Sequence, residues 1–375
     1  MVESKPRHGA NEARTQGGSR VLPYEARPPT ADARCVEATL ASLDTPITPT
    51  ERFFIRSHFA VPPLDASTWT LTIDGAVDRP TVVSYDRLRR MPHVDLVAVL
   101  ECAGNSRTAL RPRTEGVLWG NGAVSAARWR GVRLRDVLAL AGPKASAREV
   151  VFVGADRGQE PGHERELAYE MSVSTAKAVD PDTLLVTEMN GEVLPPSHGY
   201  PVRVVVPDWY GMASVKWLVR IELTERAFEG FFRRRAYAYI HEGDAASDHH
   251  EPVTTVRVKS LVTWPAEGAV LPPGRHTVHG VAWSGGGRVR SVELSATPTD
   301  GSGNARWAHA TLLDEASGHT WVQWSCQLEL ERPGFYVLRV RATDERGESQ
   351  PEHARWNFRG VGTNSWHAVP VEIRG

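Results

Sequence analysis

The sequence predicts an α+β region over residues 26–245 followed by an all-β region over residues 255–375. In the first, apolar strand-like runs alternate with short helical patterns that do not repeat at a βαβ period. In the second, short β-branched and aromatic runs recur between turns, without helical periodicity. No run of about 18 apolar residues exists, so no membrane-spanning helix is expected.

Several elements follow from local chemistry. Trp69-Thr70-Leu71-Thr72-Ile73-Asp74-Gly75 alternates like a strand that ends at a turn. Val94 to Leu100 reads as a buried strand, as do Val150 to Gly154 and Val202 to Val206. Leu134 to Ala141 is a short amphipathic helix stopped by Gly142-Pro143. Asn190-Gly191 between apolar runs is a hairpin signal. In the last third, Val256–Thr263, His276–Ser284, Val289–Ala296, Phe335–Thr343 and Ala354–Phe358 are spaced as strands of an immunoglobulin-like sandwich.

Composition narrows the function classes. The chain has 375 residues, which favours two domains, and its 41% hydrophobic content suffices for sizeable cores. A net charge of −1 offers no electrostatic case for nucleic acid or an anionic membrane. Residues 1–25 are polar and charged and read as a disordered tail. They contain neither an apolar signal core nor a twin-arginine signal, so a cytoplasmic location is expected. Residues 246–254 read as a linker; His241, Glu242, Asp244, Asp248, His249, His250 and Glu251 lack the spacing and apolar frame of a metal site.

Three cysteines are present, Cys35, Cys102 and Cys326, too few for a disulfide framework. Cys102 stands out. It follows the Val94–Leu100 strand, Ala103-Gly104 lets the chain turn, and Arg107 lies five residues on. Such a thiol suits a soft metal ligand beside an anion pocket. A buried structural cysteine reads equally well from spacing alone. Gly120-Asn121-Gly122 lacks the third glycine of a dinucleotide-binding turn.

The segment Glu101-Cys102-Ala103-Gly104-Asn105-Ser106-Arg107 resembles the molybdenum-ligating segment of the sulfite oxidase family of molybdopterin oxidoreductases. The resemblance continues through Trp119 to Ser125, Ala127 to Leu134, Met189-Asn190-Gly191, His198 to Pro207, Ser214-Val215-Lys216-Trp217 and Ala282 to Arg288. It covers roughly residues 50–375, with the motifs in order. It implies a molybdopterin domain, a dimerising β-sandwich and a homodimer.

The resemblance also assigns residues. Cys102 matches the metal ligand of a molybdenum–molybdopterin cofactor. Phe54-Ile55-Arg56-Ser57-His58 matches the loop that cradles the cofactor, with Arg56 toward the anion pocket and His58 toward the pterin. Asp156 matches a carboxylate that accepts from pterin amino groups, while His198, Arg203, Ser214, Val215 and Lys216 match pterin and phosphate contacts. Arg56, Arg107 and Arg288 are expected to converge on an oxyanion, with Trp119 walling the pocket and Tyr169 as the active-site tyrosine. Ser57, Ser106, Ala168 and Glu170-Met171 depart from the family pattern.

The expected reaction is oxidation of sulfite to sulfate. No Cys-x-x-Cys-His motif is present, so the electrons are expected to pass to a separate acceptor. Alternatives are a reductase of nitrate or a sulfoxide on the same fold, and a non-catalytic cofactor-bearing interaction module.

Overall fold

The computed structural model of the chain describes residues 35–160, 163–244, 250–303, 305–313 and 318–375. The tail expected over residues 1–25 lies outside them, as do residues 246–249 of the stretch read as a linker. No disulfide links the three cysteines.

The chain first forms β1 (Cys35–Val36), β2 (Ile55–Arg56), β3 (Thr70–Gly75), β4 (Thr81–Ser84), α1 (Tyr85–Arg89), β5 (His93–Glu101) and β6 (Val124–Arg133). It continues through α2 (Leu134–Ala139), β7 (Glu149–Gly158), β8 (Leu167–Ser174), α3 (Thr175–Ala178), β9 (Leu184–Met189), β10 (Glu192–Val193), β11 (Arg203–Val205) and β12 (Leu218–Thr224). One sheet runs β10-β9-β6-β5, with β11 also on β9, and a second runs β4-β3-β12-β7-β8. The β3–β12 pair is parallel; the others in these two sheets are antiparallel.

The α+β expectation is corrected here: this half is mostly β. Its α-helices among the described residues span only four to six residues. Helix α2 buries Leu134, Val137 and Leu138, then ends before Gly142 turns at a φ of 70°. Helices α1 and α3 are single turns, each begun by a serine (Ser84, Ser174) that accepts a backbone N–H. The hairpin at Asn190-Gly191 forms as expected: both residues have positive φ, 54° and 87°, between β9 and β10.

After the short pair β13 (Ala238–Tyr239) and β14 (Glu251–Pro252) come β15 (Lys259–Trp264), β16 (Ala269–Leu271), β17 (Gly274–Trp283) and β18 (Val289–Pro298). Then follow β19 (Trp307–His309), β20 (Thr311–Leu312), β21 (Val322–Leu330), β22 (Gly334–Asp344) and β23 (His367–Ile373). They make two sheets, β15-β17-β21-β20 and β16-β23-β22-β18-β19. Val262, Val278, Trp324 and Cys326 of one sheet and Val292, Leu294, Leu338 and Val371 of the other share one buried cluster. The strand expected over Ala354–Phe358 is absent. That segment is a loop laid on the first half, where Trp356 Nε1 donates to the Pro112 carbonyl at 2.8 Å and the Phe358 amide to that of Ile240.

The two halves are packed together. Leu261, Val281, Trp283 and Trp321 of the second half belong to the same buried cluster as Leu71, Ile73, Phe152 and Ile221 of the first. Burial of apolar surface on this scale fixes their relative position.

Candidate active site

Strand β5 ends in a run of buried residues, Ala98 to Cys102, and delivers Cys102 to a turn. The turn closes through the Asn105 amide, which donates to the Cys102 carbonyl at 2.9 Å, while the Cys102 amide donates to Ala123. Asn105 then braces it, its side chain donating to Glu101 Oε1 and accepting from the Ala123 amide. Burial pushes the Cys102 thiol up, opposed chiefly by the charge of Arg56. A metal at the sulfur would take it as thiolate.

Cys102 opens into a cavity whose empty space, counted out to its mouth, is about 670 Å³. From the loop Phe53–His58, the residues Phe54, Ile55, Arg56, Ser57 and His58 all line it. Strand β2 is held in place by pairing with β1, with Cys35 opposite Arg56. The far wall is formed by Asp156, Tyr169, His198, Arg203, Ser214 and Lys216.

The polar groups of that wall are mismatched in a telling way. Arg203 is buried and donates only to backbone carbonyls, of His198 at 3.0 Å and Ser214 at 2.9 Å, with its guanidinium 5.1 Å from the Trp129 ring centre. Lys216 donates to Ser57 Oγ and to the Ser197 carbonyl. Burial pulls both cations' pKa values down. Burial, with Lys216 and Arg203 beside it, also pushes His198 down to about 3, leaving it neutral. Against them stands Asp156, whose Oδ1 is buried with no partner; burial raises its carboxyl to about 7, with Lys216 opposing.

Cations bound only to neutral oxygens are short of anions, and a buried carboxyl oxygen without a donor is short of an N–H. An anionic group with amino donors answers both. The donor set therefore fits a molybdopterin: Lys216 and Arg203 could hold its phosphate, Asp156 its amino groups and Cys102 its metal.

The remaining expected residues are placed as follows. Tyr169 lines the cavity, donates to the Met212 carbonyl at 2.9 Å and stacks on His58 at 5.2 Å. Both His58 ring nitrogens are engaged, by Glu160 and Tyr237, and Arg56 Nη2 lies 3.3 and 3.2 Å from Nδ1 and Nε2, so a pterin contact there would displace one of these partners. Val215 is buried in the core behind the lining, its carbonyl accepting from the Val204 amide. Trp119 is buried in the apolar cluster that holds Cys102, away from the cavity surface.

Of the three arginines expected to converge, Arg56 lines the cavity and the other two are seated elsewhere. Arg107 is buried behind the Cys102 turn, donating to the Val117 carbonyl at 2.7 Å and to the Gly360 carbonyl at 3.2 Å. Its guanidinium fills a slot that a Cβ at Gly104 or Gly116 would close, at 2.6 and 2.8 Å. Arg288 is exposed, and its carbonyl accepts from the Glu345 amide. Of the glycines before it, Gly285 approaches the first half: a Cβ there would stand 2.2 Å from the Asp208 carbonyl.

Sequence reasoning missed Tyr237, which lines the cavity, Glu160 at its edge, and the cluster of Glu101, Lys259 and Trp283 behind Cys102. Glu101 and Trp283 sat inside recognised motifs. Tyr237 and Glu160 had no local signal.

Comparison with known proteins points to the same cofactor. Residues 58–232 match the oxidoreductase molybdopterin-binding domain and residues 250–374 the Mo-co oxidoreductase dimerisation domain. Mitochondrial sulfite oxidase of Mus musculus is 36% identical, over 87% of this chain and 62% of its own. Sulfite oxidase of Gallus gallus is also 36% identical, over 86% of this chain and 72% of its own. The chain thus spans about three-fifths of the length of the mouse relative. Among solved structures, the sulfane dehydrogenase SoxCD from Paracoccus pantotrophus superposes with a TM-score of 0.76 at 25% identity, covering 98% of this chain and 96% of that one. No helix of the described residues is long and apolar enough to cross a membrane. Motif order, cavity chemistry and matches over both halves make this chain a member of the sulfite oxidase family of molybdopterin-dependent oxidoreductases.

Proposed function

We propose that the protein oxidises sulfite to sulfate at the Cys102 cavity and passes the electrons to a separate acceptor. The observation that carries this reading is one buried thiol sharing a cavity with Arg56, Arg203 and Lys216. We assign Cys102 as metal ligand, and Phe54, Ile55, Ser57, Asp156, His198, Arg203, Ser214 and Lys216 as the cofactor cradle, with Val215 packed behind it.

When bound, the molybdenum cofactor supplies oxygen-atom transfer and accepts two electrons. The chain supplies position and charge. Arg56 presents a half-buried guanidinium to the cavity it shares with Cys102, suited to a small dianion. Tyr169, kept protonated because burial pushes its hydroxyl well above 10, holds its ring against His58 and its hydroxyl on Met212. The aromatic walls of Phe54, Tyr169 and Trp217 limit water around the reacting oxyanion.

We further propose an immunoglobulin-like sandwich over residues 255–375, a catalytic domain over 26–245 with a linker at 246–254, a homodimer and a cytoplasmic location. The match to a dimerisation domain supports the dimer, and light scattering on the holoprotein tests it. The absence of a disulfide among the three cysteines fits a reducing compartment.

Steady-state assays with sulfite, nitrate and methionine sulfoxide on purified holoprotein test the reaction. Sulfite-dependent reduction of an artificial acceptor is expected. Turnover of nitrate or the sulfoxide with none of sulfite would overturn the reading.

A further inference from the structure

A second thiol stands beside the proposed metal ligand, and the cofactor cradle does not use it. Cys35 is half-buried and pairs in register with Arg56 across the β1–β2 ladder. Residues directly opposite in an antiparallel pair carry their side chains on one face, with Cβ atoms about 4.5–5.5 Å apart. The ladder's other pair, Val36 and Ile55, faces the other way and makes a small apolar cluster of its own. Cys35 therefore shares its face with Arg56, which lines the cavity that Cys102 opens into. In agreement, Cys35 packs against the apolar cluster that contains Phe53, Phe54 and Cys102.

One loop ties both cysteines down. Two residues after Cys35, the Glu37 carboxylate accepts from the Gly120 amide at 2.6 Å and the Gly122 amide at 3.0 Å, and the Ala38 amide donates to the Gly122 carbonyl at 2.9 Å. The next residue of that loop, Ala123, accepts from the Cys102 amide at 2.9 Å. Burial works against the Arg56 charge, while Tyr237, Cys35 and Cys102 favour it, so both sulfurs lie within electrostatic reach of one guanidinium. The two thiols differ in access. Cys35 is partly exposed beside a cation, the setting in which thiols oxidise first, whereas Cys102 is buried and reached through the cavity. Strand β1 is only two residues long, so it can move toward Cys102 with little lost pairing.

We propose that Cys35 and Cys102 form a peroxide-responsive thiol pair, which closes as a disulfide before the cofactor is loaded and keeps Cys102 from irreversible oxidation. The proposal rests on the assignment of Cys102 as metal ligand above. The Cys35 sulfur attacks one oxygen of hydrogen peroxide; the O–O bond breaks, leaving a sulfenic acid and one water. The Cys102 sulfur then attacks the sulfenic sulfur. The S–S bond forms, the S–O bond breaks, and the hydroxyl leaves with the Cys102 proton as a second water. Two thiols are thus oxidised by two electrons while one peroxide is reduced to two waters. A dithiol reductant reverses the step by exchange and returns both thiols, so the metal ligand is restored. In a reducing compartment such a pair is open except under oxidative stress. Once a metal holds the Cys102 sulfur, that sulfur no longer resolves the sulfenic acid.

The test uses the full-length chain made in a cofactor-deficient host and the molybdenum-loaded holoprotein, each treated with hydrogen peroxide, alkylated, digested and read by mass spectrometry. The cofactor-free chain is expected to yield a linked peptide pair containing Cys35 and Cys102, while Cys326, buried in the second core, stays a thiol. The loaded chain should yield no such link. Dithiothreitol should then let the peroxide-treated wild type take up cofactor released from denatured holoprotein, whereas Cys35→Ser should carry Cys102 as sulfinic acid and stay unable to load. Absence of the linked peptide from the cofactor-free wild type overturns the proposal, and that measurement stands even where the variant fails to fold. Equal recovery of loading by a folded Cys35→Ser overturns it too. A link that forms equally in the loaded chain instead overturns Cys102 as metal ligand and leaves the thiol pair standing.

Discussion

Lys259 Nζ and Glu101 Oε1 form an ion pair at 2.9 Å with both side chains almost wholly buried, 2% and 1% exposed. Lys259 opens β15 in the second half, and Glu101 closes β5 in the first, one residue before Cys102. Both partners are further bonded: Glu101 also accepts from Trp283 Nε1 and Asn105 Nδ2, each at 2.9 Å, and Lys259 donates to the Thr363 carbonyl at 3.0 Å. Desolvation of two charges is tolerable only with such complete pairing. The second half thereby holds the turn that carries Cys102.

Lys259→Met is therefore expected to cost about 3–5 kcal/mol, because it strands a buried carboxylate. Denaturant unfolding measures it. A loss under about 1 kcal/mol would show that water or a rearranged partner satisfies Glu101 in solution.

Cys102→Ser is expected to leave secondary structure intact while molybdenum content and turnover fall together. A hydroxyl is a harder donor that keeps its proton at neutral pH, whereas a thiol beside a metal gives it up. Metal analysis and kinetics on the same preparation check this, and near wild-type turnover would remove Cys102 from the mechanism.

The site was legible where chemistry and chain position coincide. Cys102 could be read because β5, the Ala103-Gly104 turn and the metal-ligand motif are contiguous. The cavity lining from Phe54–His58 and Ser214–Lys216 could be read because these are short segments whose residues mostly point one way. What stayed hidden depends on side-chain direction or on long loops. A motif puts Arg107 five residues after Cys102, yet only the slot between Gly104 and Gly116 shows that its guanidinium turns behind the turn. Glu160 and Tyr237 lie 102 and 179 residues from His58 in sequence, and no local pattern joins them. The run Ala354–Phe358 has strand composition, but Trp356 and Phe358 find their partners on the first half instead of in a sheet.

A pH-dependent contact between the halves lies at His319. Its ring bridges two carboxylates of the first half, Asp208 at 2.8 Å and Asp182 at 3.1 Å, and the hydrogen bond to Asp208 raises its pKa above 6.5. A histidine raised in the fold contributes stability that is fully present below 6.5 and is lost as pH rises through the raised value. His58, His198 and His367, pushed down by burial to about 4, 3 and 4, act oppositely: their contribution is present above 6.5 and lost as pH falls toward those values. The His319 effect must therefore be read as a difference. His319→Gln is expected to lower the melting temperature relative to wild type more at pH 6 than at pH 8.5, by differential scanning. An equal loss at both values would mean that the imidazolium adds nothing to the contact.

The three arginines of the sequence motif now separate into different roles, and two substitutions distinguish them. Arg107 donates to two backbone carbonyls from a buried position, bonds of a charged donor worth roughly 1.5–3 kcal/mol each. Its charge also acts on Cys102, where it helps offset the effect of burial on the thiol. Arg107→Met is thus expected to lower stability and kcat/KM for sulfite together, the latter by about tenfold or more through the displaced Cys102 turn. Arg107→Lys should keep part of the electrostatic effect but not the stability, because one ammonium cannot span the Val117 and Gly360 carbonyls as the planar fork does. Arg288 is exposed and outside the cavity lining, so Arg288→Met should leave kcat/KM within about twofold. Should Arg288→Met instead cost tenfold or more in kcat/KM with stability unchanged, the loop Gly285–Arg288 must close over the cavity during turnover, and Arg288 would rejoin Arg56 on the oxyanion.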